Sequence, residues 1–295
     1  MYLLMHSISK YIFYFFAFVS FGYGLGTQFL SVPSSAIELA FGPNPLFSSL
    51  TPNNPALLKG PREGINMNVS HGSWLNNISN SSFSLASKVG NGSFGLNVRH
   101  MAINDLELRS DRPTDDPLAT FGSSAFAVAS SYSQSYGAVK VGGTIRYILI
   151  ELYTENASGI IFDGGITRSF GKNIEMGFSI LNSGFINKTD RYSPALPLRF
   201  LSAVSYRFPG SKWEHKICLS AEQSSLVDGS IIRVASETKF EKFDLRFGTQ
   251  SSNEVTVVSG GFGIRLGLLN VHYGIQIGSQ HLGLPQMLDI SIKLP

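Results

Sequence analysis

The sequence predicts an all-β protein: a single transmembrane antiparallel β-barrel of about 14 strands behind a short N-terminal helical or irregular plug segment. Three observations carry this expectation. Only 15% of the 295 residues are charged while 43% are hydrophobic, whereas soluble domains carry ~25% charge. From Ile65 onward, apolar and polar residues alternate with period two in segments that reach the ~9–11 residues a membrane strand needs. The connections between those segments alternate between short and longer, as they do when turns lie on one side of a membrane and loops on the other.

Residues 1–26 read as a secretory signal peptide, with Lys10 before an apolar run from Tyr11 to Phe21 and a small-residue exit at Gly22-Tyr23-Gly24-Leu25-Gly26. Residues 27–63 do not alternate. Ser34 is a candidate cap for a short helix through Ala40, and a Pro/Asn-rich run follows from Pro43 to Pro55. This stretch is too short to build a core of its own, so it is expected to fold into the barrel as a plug or hatch.

Residues 64–295 form the barrel. Its expected strands are 64–71, 82–89, 93–101, 123–133, 137–150, 157–170, 173–183, 197–208, 212–222, 230–240, 243–250, 255–266, 269–278 and 286–294. In the clearest, Val139, Val141, Ile145, Tyr147 and Leu149 share one face while Lys140, Thr144 and Arg146 share the other. Short turns are expected at Gly90-Asn91-Gly92, Gln134-Ser135-Tyr136, Gly171-Lys172, Pro209-Gly210-Ser211, Glu241-Lys242 and Gly267-Leu268, with Asn-Gly the strongest hairpin signal. The face opposite the apolar one carries charge on many strands: Lys88, Arg99, Lys140, Arg146, Asp163, Glu175, Arg199, Arg207, Glu214, Lys216, Glu222, Asp244, Arg246 and Arg265. That is wrong for a dry sandwich core and right for a watery lumen. Trp74, Tyr147, Tyr153, Tyr192, Tyr206, Trp213 and Tyr273 are expected in the interfacial girdles.

The chemistry expected is non-enzymatic, with no cofactor. No hydrolase elbow, phosphate loop, HExxH or EF-hand spacing occurs, and Cys218 is the single cysteine. The histidines are dispersed without metal-ligand spacing, and His71 and His100 are placed at strand ends. Basic residues are scattered singly in a chain of net charge +3, so nucleic acid is not an expected partner. Asp115 and Asp116 read as part of a solvated external loop with Asp105, Glu107, Arg109, Asp111 and Arg112.

In order along the chain, Gly26-Thr27-Gln28-Phe29-Leu30-Ser31-Val32-Pro33, Asn54-Pro55-Ala56-Leu57-Leu58, Ser70-His71 with Trp74, Asp163-Gly164-Gly165, Leu181-Asn182-Ser183-Gly184 and Leu196-Pro197-Leu198-Arg199 resemble the PorV/PorQ family of outer-membrane barrels. That family is similar in fold to the long-chain fatty-acid transporter FadL and serves type IX secretion. The resemblance implies a barrel in a Gram-negative outer membrane with both termini periplasmic. It implies action as a cargo shuttle or an attachment-complex component for secreted proteins with C-terminal sorting domains. Other outer-membrane secretion components and lipid are then its remaining partners. Asn54, Pro55 and Ala56 become the plug's binding motif. The two long connections, 102–122 with Asp105, Glu107, Arg109, Asp111, Arg112, Asp115 and Asp116, and 184–196 with Asn187, Arg191 and Tyr192, become the candidate cargo contacts. The same FadL-like resemblance carries an alternative, a transporter of hydrophobic small molecules, in which Ile148, Ile150, Ile161 and Leu201 line the path.

Overall fold

The computed structural model describes residues 26–47, 50, 53–75, 78–109, 116–152, 155–187, 194–209, 213–225, 227–279 and 283–295. The signal-peptide reading of 1–26 therefore falls outside them except for Gly26. Fourteen strands form a closed antiparallel barrel, each paired with its neighbours in chain order and β1 with β14. They are β1 (Ile65–Trp74), β2 (Ile78–Val89), β3 (Gly92–Leu108), β4 (Ala119–Tyr136), β5 (Val139–Leu152), β6 (Glu155–Phe170), β7 (Ile174–Ile186), β8 (Arg199–Arg207), β9 (Glu214–Ser224), β10 (Val227–Phe240), β11 (Phe243–Ser251), β12 (Thr256–Leu266), β13 (Leu269–Gly278) and β14 (Gln286–Leu294). The seam runs in unbroken register from Ile65↔Leu294 to Ser73↔Gln286, so no edge strand is left to pair with another chain.

Parity along each strand sorts the residues. The outward face exposes Val69, Val128, Ile145, Ile166, Phe178, Leu219, Val234, Phe247, Phe262 and Ile290, among others, around the whole circumference. A continuous apolar surface of this extent suits hydrocarbon, not water. At the end that carries the short connections, here the turn side, rings gather in two groups, Tyr206 with Phe208 (centroids 5.0 Å apart) and Trp213 with Phe240 and Phe243 (5.6 and 6.2 Å). That is an interfacial girdle. Trp74, expected in a girdle, instead points inward and packs beside Ala36, Leu39 and Met287. Tyr153 and Tyr192 lie outside the described residues.

Several boundaries differ from the sequence expectation. β4 continues to Tyr136, so its turn to β5 is Gly137-Ala138, with Gly137 supplying a positive φ of 60°, rather than Gln134-Ser135-Tyr136. β3 and β4 extend well past the expected ends, holding Leu106↔Phe121, Glu107↔Thr120 and Leu108↔Ala119 after a register shift, so the long connection shrinks to 109–118. Beyond the lipid both faces of a strand meet water, and the apolar alternation that marks a strand fades. His71 and His100 consequently sit within β1 and β3 rather than at their ends, with His71 Nδ1 2.9 Å from the Ser81 hydroxyl.

Candidate functional site

The barrel is filled by its own N-terminal segment. A 3-10 turn (Thr27–Ser31) leads to helix α1 (Ala36–Phe41), and a second 3-10 turn (Pro55–Leu57) ends the plug. The Ser35 side chain accepts the Glu38 N–H (3.2 Å), so the cap falls one residue after the expected Ser34. Glu38 reaches back to Ser34, accepting its N–H at 2.7 Å and its hydroxyl at 2.9 Å, and also accepts the Asn53 amide at 2.6 Å. A helix of six residues does not stand alone in water. Here the Asp289 carboxylate on β14 accepts the backbone N–H of Ala36 at 2.8 Å and of Ile37 at 3.4 Å, placing negative charge on the helix start. Leu39 is fully buried over Met287, and Phe41 stacks on Phe47 with centroids 3.9 Å apart.

Asn54-Pro55-Ala56 clamps the plug to the wall. Asn54 Oδ1 accepts the Ala56 N–H (3.0 Å) to cap the second turn, while Asn54 Nδ2 donates to the carbonyls of Ile166 (3.2 Å) and Phe178 (3.3 Å) on β6 and β7. The wall is hollowed to receive it. A Cβ at Gly165 would lie 1.9 Å from Asn54 Oδ1, and one at Gly142 would lie 2.4 Å from the Pro55 backbone.

Other inward polar side chains serve the same docking. Asn80 and Arg99 donate to Pro33 O, Ser82 to Ser34 O, Ser133 to Leu58 O, Ser179 to Asn53 O and Lys216 to Leu46 O. Backbone carbonyls of an irregular segment at membrane depth need such donors. Near the loop side the lining turns dry: Phe29 and Leu30 bury against Met101, Ala125, Ile148, Ile150 and Ile161. The expected apolar path residues are thus sealed by the plug, and Leu201 is fully buried as well.

The remaining lumen charges cluster. Glu222 lies between Arg199 (2.6 Å) and Arg233 (2.8 Å), all three almost completely buried. Arg246 pairs with Glu237 and Asp244 at 3.1 Å each and lies 3.1 Å from His272 Nδ1, while Arg265 reaches Asp244 at 3.2 Å. Arg146 holds Asp163 at 2.7 Å; Asp163 also accepts the Asn182 N–H, where the chain takes a positive φ of 61° at a bulge between β6 and β7. The charges expected on the lumen face are mostly spent on one another and on the plug.

Of the expected cargo contacts, Asp105 and Glu107 belong to β3, not to a loop, because β3 runs to Leu108. Glu107 pairs with the exposed Arg109 at 2.7 Å, and Asp116 is exposed just before β4. Asn187 accepts the Ser158 N–H and so prolongs the β6–β7 ladder. Asp111, Arg112, Asp115, Arg191 and Tyr192 lie outside the described residues. The far end of the 184–196 connection does not project. Pro194 and Pro197 are buried, Ala195 O accepts the Thr27 hydroxyl at 2.6 Å, and Pro197 O accepts the Asn182 amide at 3.0 Å. Its described end is held to the plug by the Thr27 bond and to β7 by the Asn182 bond.

Two mouths remain. On the loop side a cavity of about 490 Å³ ends on Pro33, Phe41 and Pro43 of the plug, with Trp74, Leu75, Val227, Ile231, Val255 and Val257 among its walls and Gln28, Gln250 and Gln276 as polar points. On the turn side a cavity of about 800 Å³ is polar and basic. The sequence reading missed the first because its residues come one or two per strand; the only signal was Trp74 breaking the outward parity of β1.

No family model matches the chain, and no curated protein does. Solved structures do. The toluene transporter TbuX of Ralstonia pickettii aligns over 88% of this chain and 98% of its own at 11% identity and a TM-score of 0.62. The toluene transporter TodX of P. putida aligns over 90% of this chain and 99% of its own at 10% identity and a TM-score of 0.60. A TodX deltaS2S3 mutant, described as a monoaromatic hydrocarbon channel, gives 0.60 at 9% identity over 88% of this chain and 99% of its own. At these identities the likeness is one of fold: the chain is a closed fourteen-strand antiparallel barrel of the same architecture as these transporters, with its own N-terminal segment inside it.

Proposed function

We propose that this protein is a plug-gated outer-membrane channel for small apolar molecules, with the turn side facing the periplasm and the loop side facing out. The observation that carries this reading is the loop-side cavity: about 490 Å³, with an apolar flank of Phe41, Trp74, Leu75, Ile231 and Val257 set against glutamines and the mutually paired Arg199–Glu222–Arg233 cluster, and ending on a movable-sized segment of chain rather than on a strand. A compartment of that volume and character suits a small hydrophobic solute held by a few polar points. The fold neighbours with TM-scores of 0.60 and above are described as toluene transporters and a monoaromatic hydrocarbon channel, which points the same way. The cargo-shuttle role implied by the PorV/PorQ resemblance draws no support from these neighbours. One of its two proposed contact loops is tied to the plug at its described end, where Ala195 O accepts the Thr27 hydroxyl.

The test uses the two tryptophans. Trp74 lines the cavity while Trp213 sits in the outer girdle. In a Trp213→Phe variant in detergent, titration with toluene is expected to give a saturable change in Trp74 emission. A linear or absent response would overturn the channel reading, and recovery of secreted proteins bound to the gently extracted barrel would replace it with the shuttle.

A further inference from the structure

We infer that the turn-side mouth is a binding site for a small solute carrying several phosphate or carboxylate groups. Six cationic side chains line this one cavity of about 800 Å³: Lys59, Lys140, Lys172, Arg207, Lys216 and Lys239. Among the described residues of the lining only two carboxylates, Glu175 and Glu237, face them, and both are engaged. Glu175 lies 3.5 Å from Lys216, while Glu237 is shared between Lys239 and Arg246 at 3.1 Å each. Lys59, Lys140, Lys172 and Arg207 have no carboxylate within ion-pair distance among the described residues. Four uncompensated charges around one concavity repel one another, and low-dielectric walls concentrate their field inside it. A chain with only 15% charged residues has placed them together.

Their direction excludes the commonest alternative, a ring of cations on lipid headgroups. Lys140 precedes the lipid-facing Val141, and Arg207 lies between the outward Tyr206 and Phe208, so parity turns both cations into the lumen. The outward basic residue at this end is Arg168, stacked over Phe170 at 5.0 Å. Between the cations the wall presents the hydroxyls of Ser135, Ser169 and Ser205, the hydrogen-bonding partners oxyanions use. The floor is the plug itself, at Leu46, Phe47 and Ala56 to Leu58, so the site is a closed-bottomed bowl. The cations stand around the bowl rather than converging on one point, which fits several charged groups better than one. Among the described residues the loop end has the opposite balance, with Glu107, Asp116, Glu151, Glu155, Asp228 and Glu254 against Arg109, which pairs with Glu107. An anion is therefore drawn to the turn side and repelled from the other.

The test is calorimetric titration of the full chain in nonionic detergent with sodium tripolyphosphate at low salt. Saturable binding that weakens as NaCl is added is expected, and a Lys140→Gln/Lys172→Gln/Arg207→Gln variant should bind at least about tenfold more weakly. Arg168→Gln/Lys242→Gln, a control that removes two charges from the outside and from a turn, should bind as the parent does. None of these residues holds the plug, and retention of the heat-modifiable gel band certifies the barrel. Failure to saturate, or equal loss in the control variant, would overturn the site. Binding of hexaglutamate without binding of tripolyphosphate would also overturn it, assigning the bowl to an acidic peptide instead.

Discussion

Removing the Asp289 carboxylate should loosen the plug, and the protein carries its own reporter of that event. Cys218, the single cysteine, is fully buried beneath the plug, its thiol 3.3 Å from Asn44 Oδ1 and packed with Phe41, Leu46 and Phe47. It reacts with a maleimide only when the plug lifts, so its labelling rate tracks the open population. Asp289→Ala deletes one good hydrogen bond to the Ala36 N–H (2.8 Å), one long one to Ile37 (3.4 Å), and the charge at the start of α1. Bonds to charged groups are worth about 1.5–3 kcal/mol, and burying the carboxylate offsets part of that, leaving about 2 kcal/mol. At about 1.4 kcal/mol per factor of ten, labelling should accelerate by roughly 30-fold. Asp289→Asn, which keeps one carbonyl oxygen for Ala36, should fall between that variant and the parent. An unchanged rate in a correctly folded Asp289→Ala barrel would refute the view that this carboxylate latches the plug.

Further outcomes follow from the same geometry. Gly165→Val puts atoms where Asn54 Oδ1 now lies and should release the clamp, seen as protease clipping within 43–58 and higher conductance in planar bilayers. Glu222→Ala leaves Arg199 and Arg233 buried against each other; a loss of about 3–5 kcal/mol should appear as a lower temperature for the gel shift from folded to unfolded barrel. Deleting 110–115 should leave the toluene response of Trp74 unchanged, because the described cavity lining includes no residue of that connection; loss of the response would move the site outward.

The barrel was legible because its determinant is local. Parity of apolar residues within ten or so positions is a property of sequence alone, and it places all fourteen strands. The plug's seat was not, since its contacts join residues far apart: Ala36 to Asp289, Asn80 to Pro33, Asn54 to Phe178. Asp289 read simply as a wet-face residue of the last strand, and nothing nearby marked it as a cap. Asn54-Pro55-Ala56 was singled out by resemblance alone, and the contacts it makes needed Gly142 and Gly165 on other strands to become visible. The loops were misjudged where β3 and β4 leave the lipid, because polar residues on both faces erase the alternation.

The position of Asp289 also bears on how the molecule is assembled. The plug precedes every strand in the described chain, while its latch lies on β14, the strand that closes the seam with β1. Until β14 is in register the Ala36 and Ile37 N–H groups lack their carboxylate, so the stopper gains its full grip only in a finished vessel. Insertion and sealing are thereby timed to each other: a barrel arrested one strand short would be leaky, and quality control that senses leakage would sense incomplete closure by the same signal.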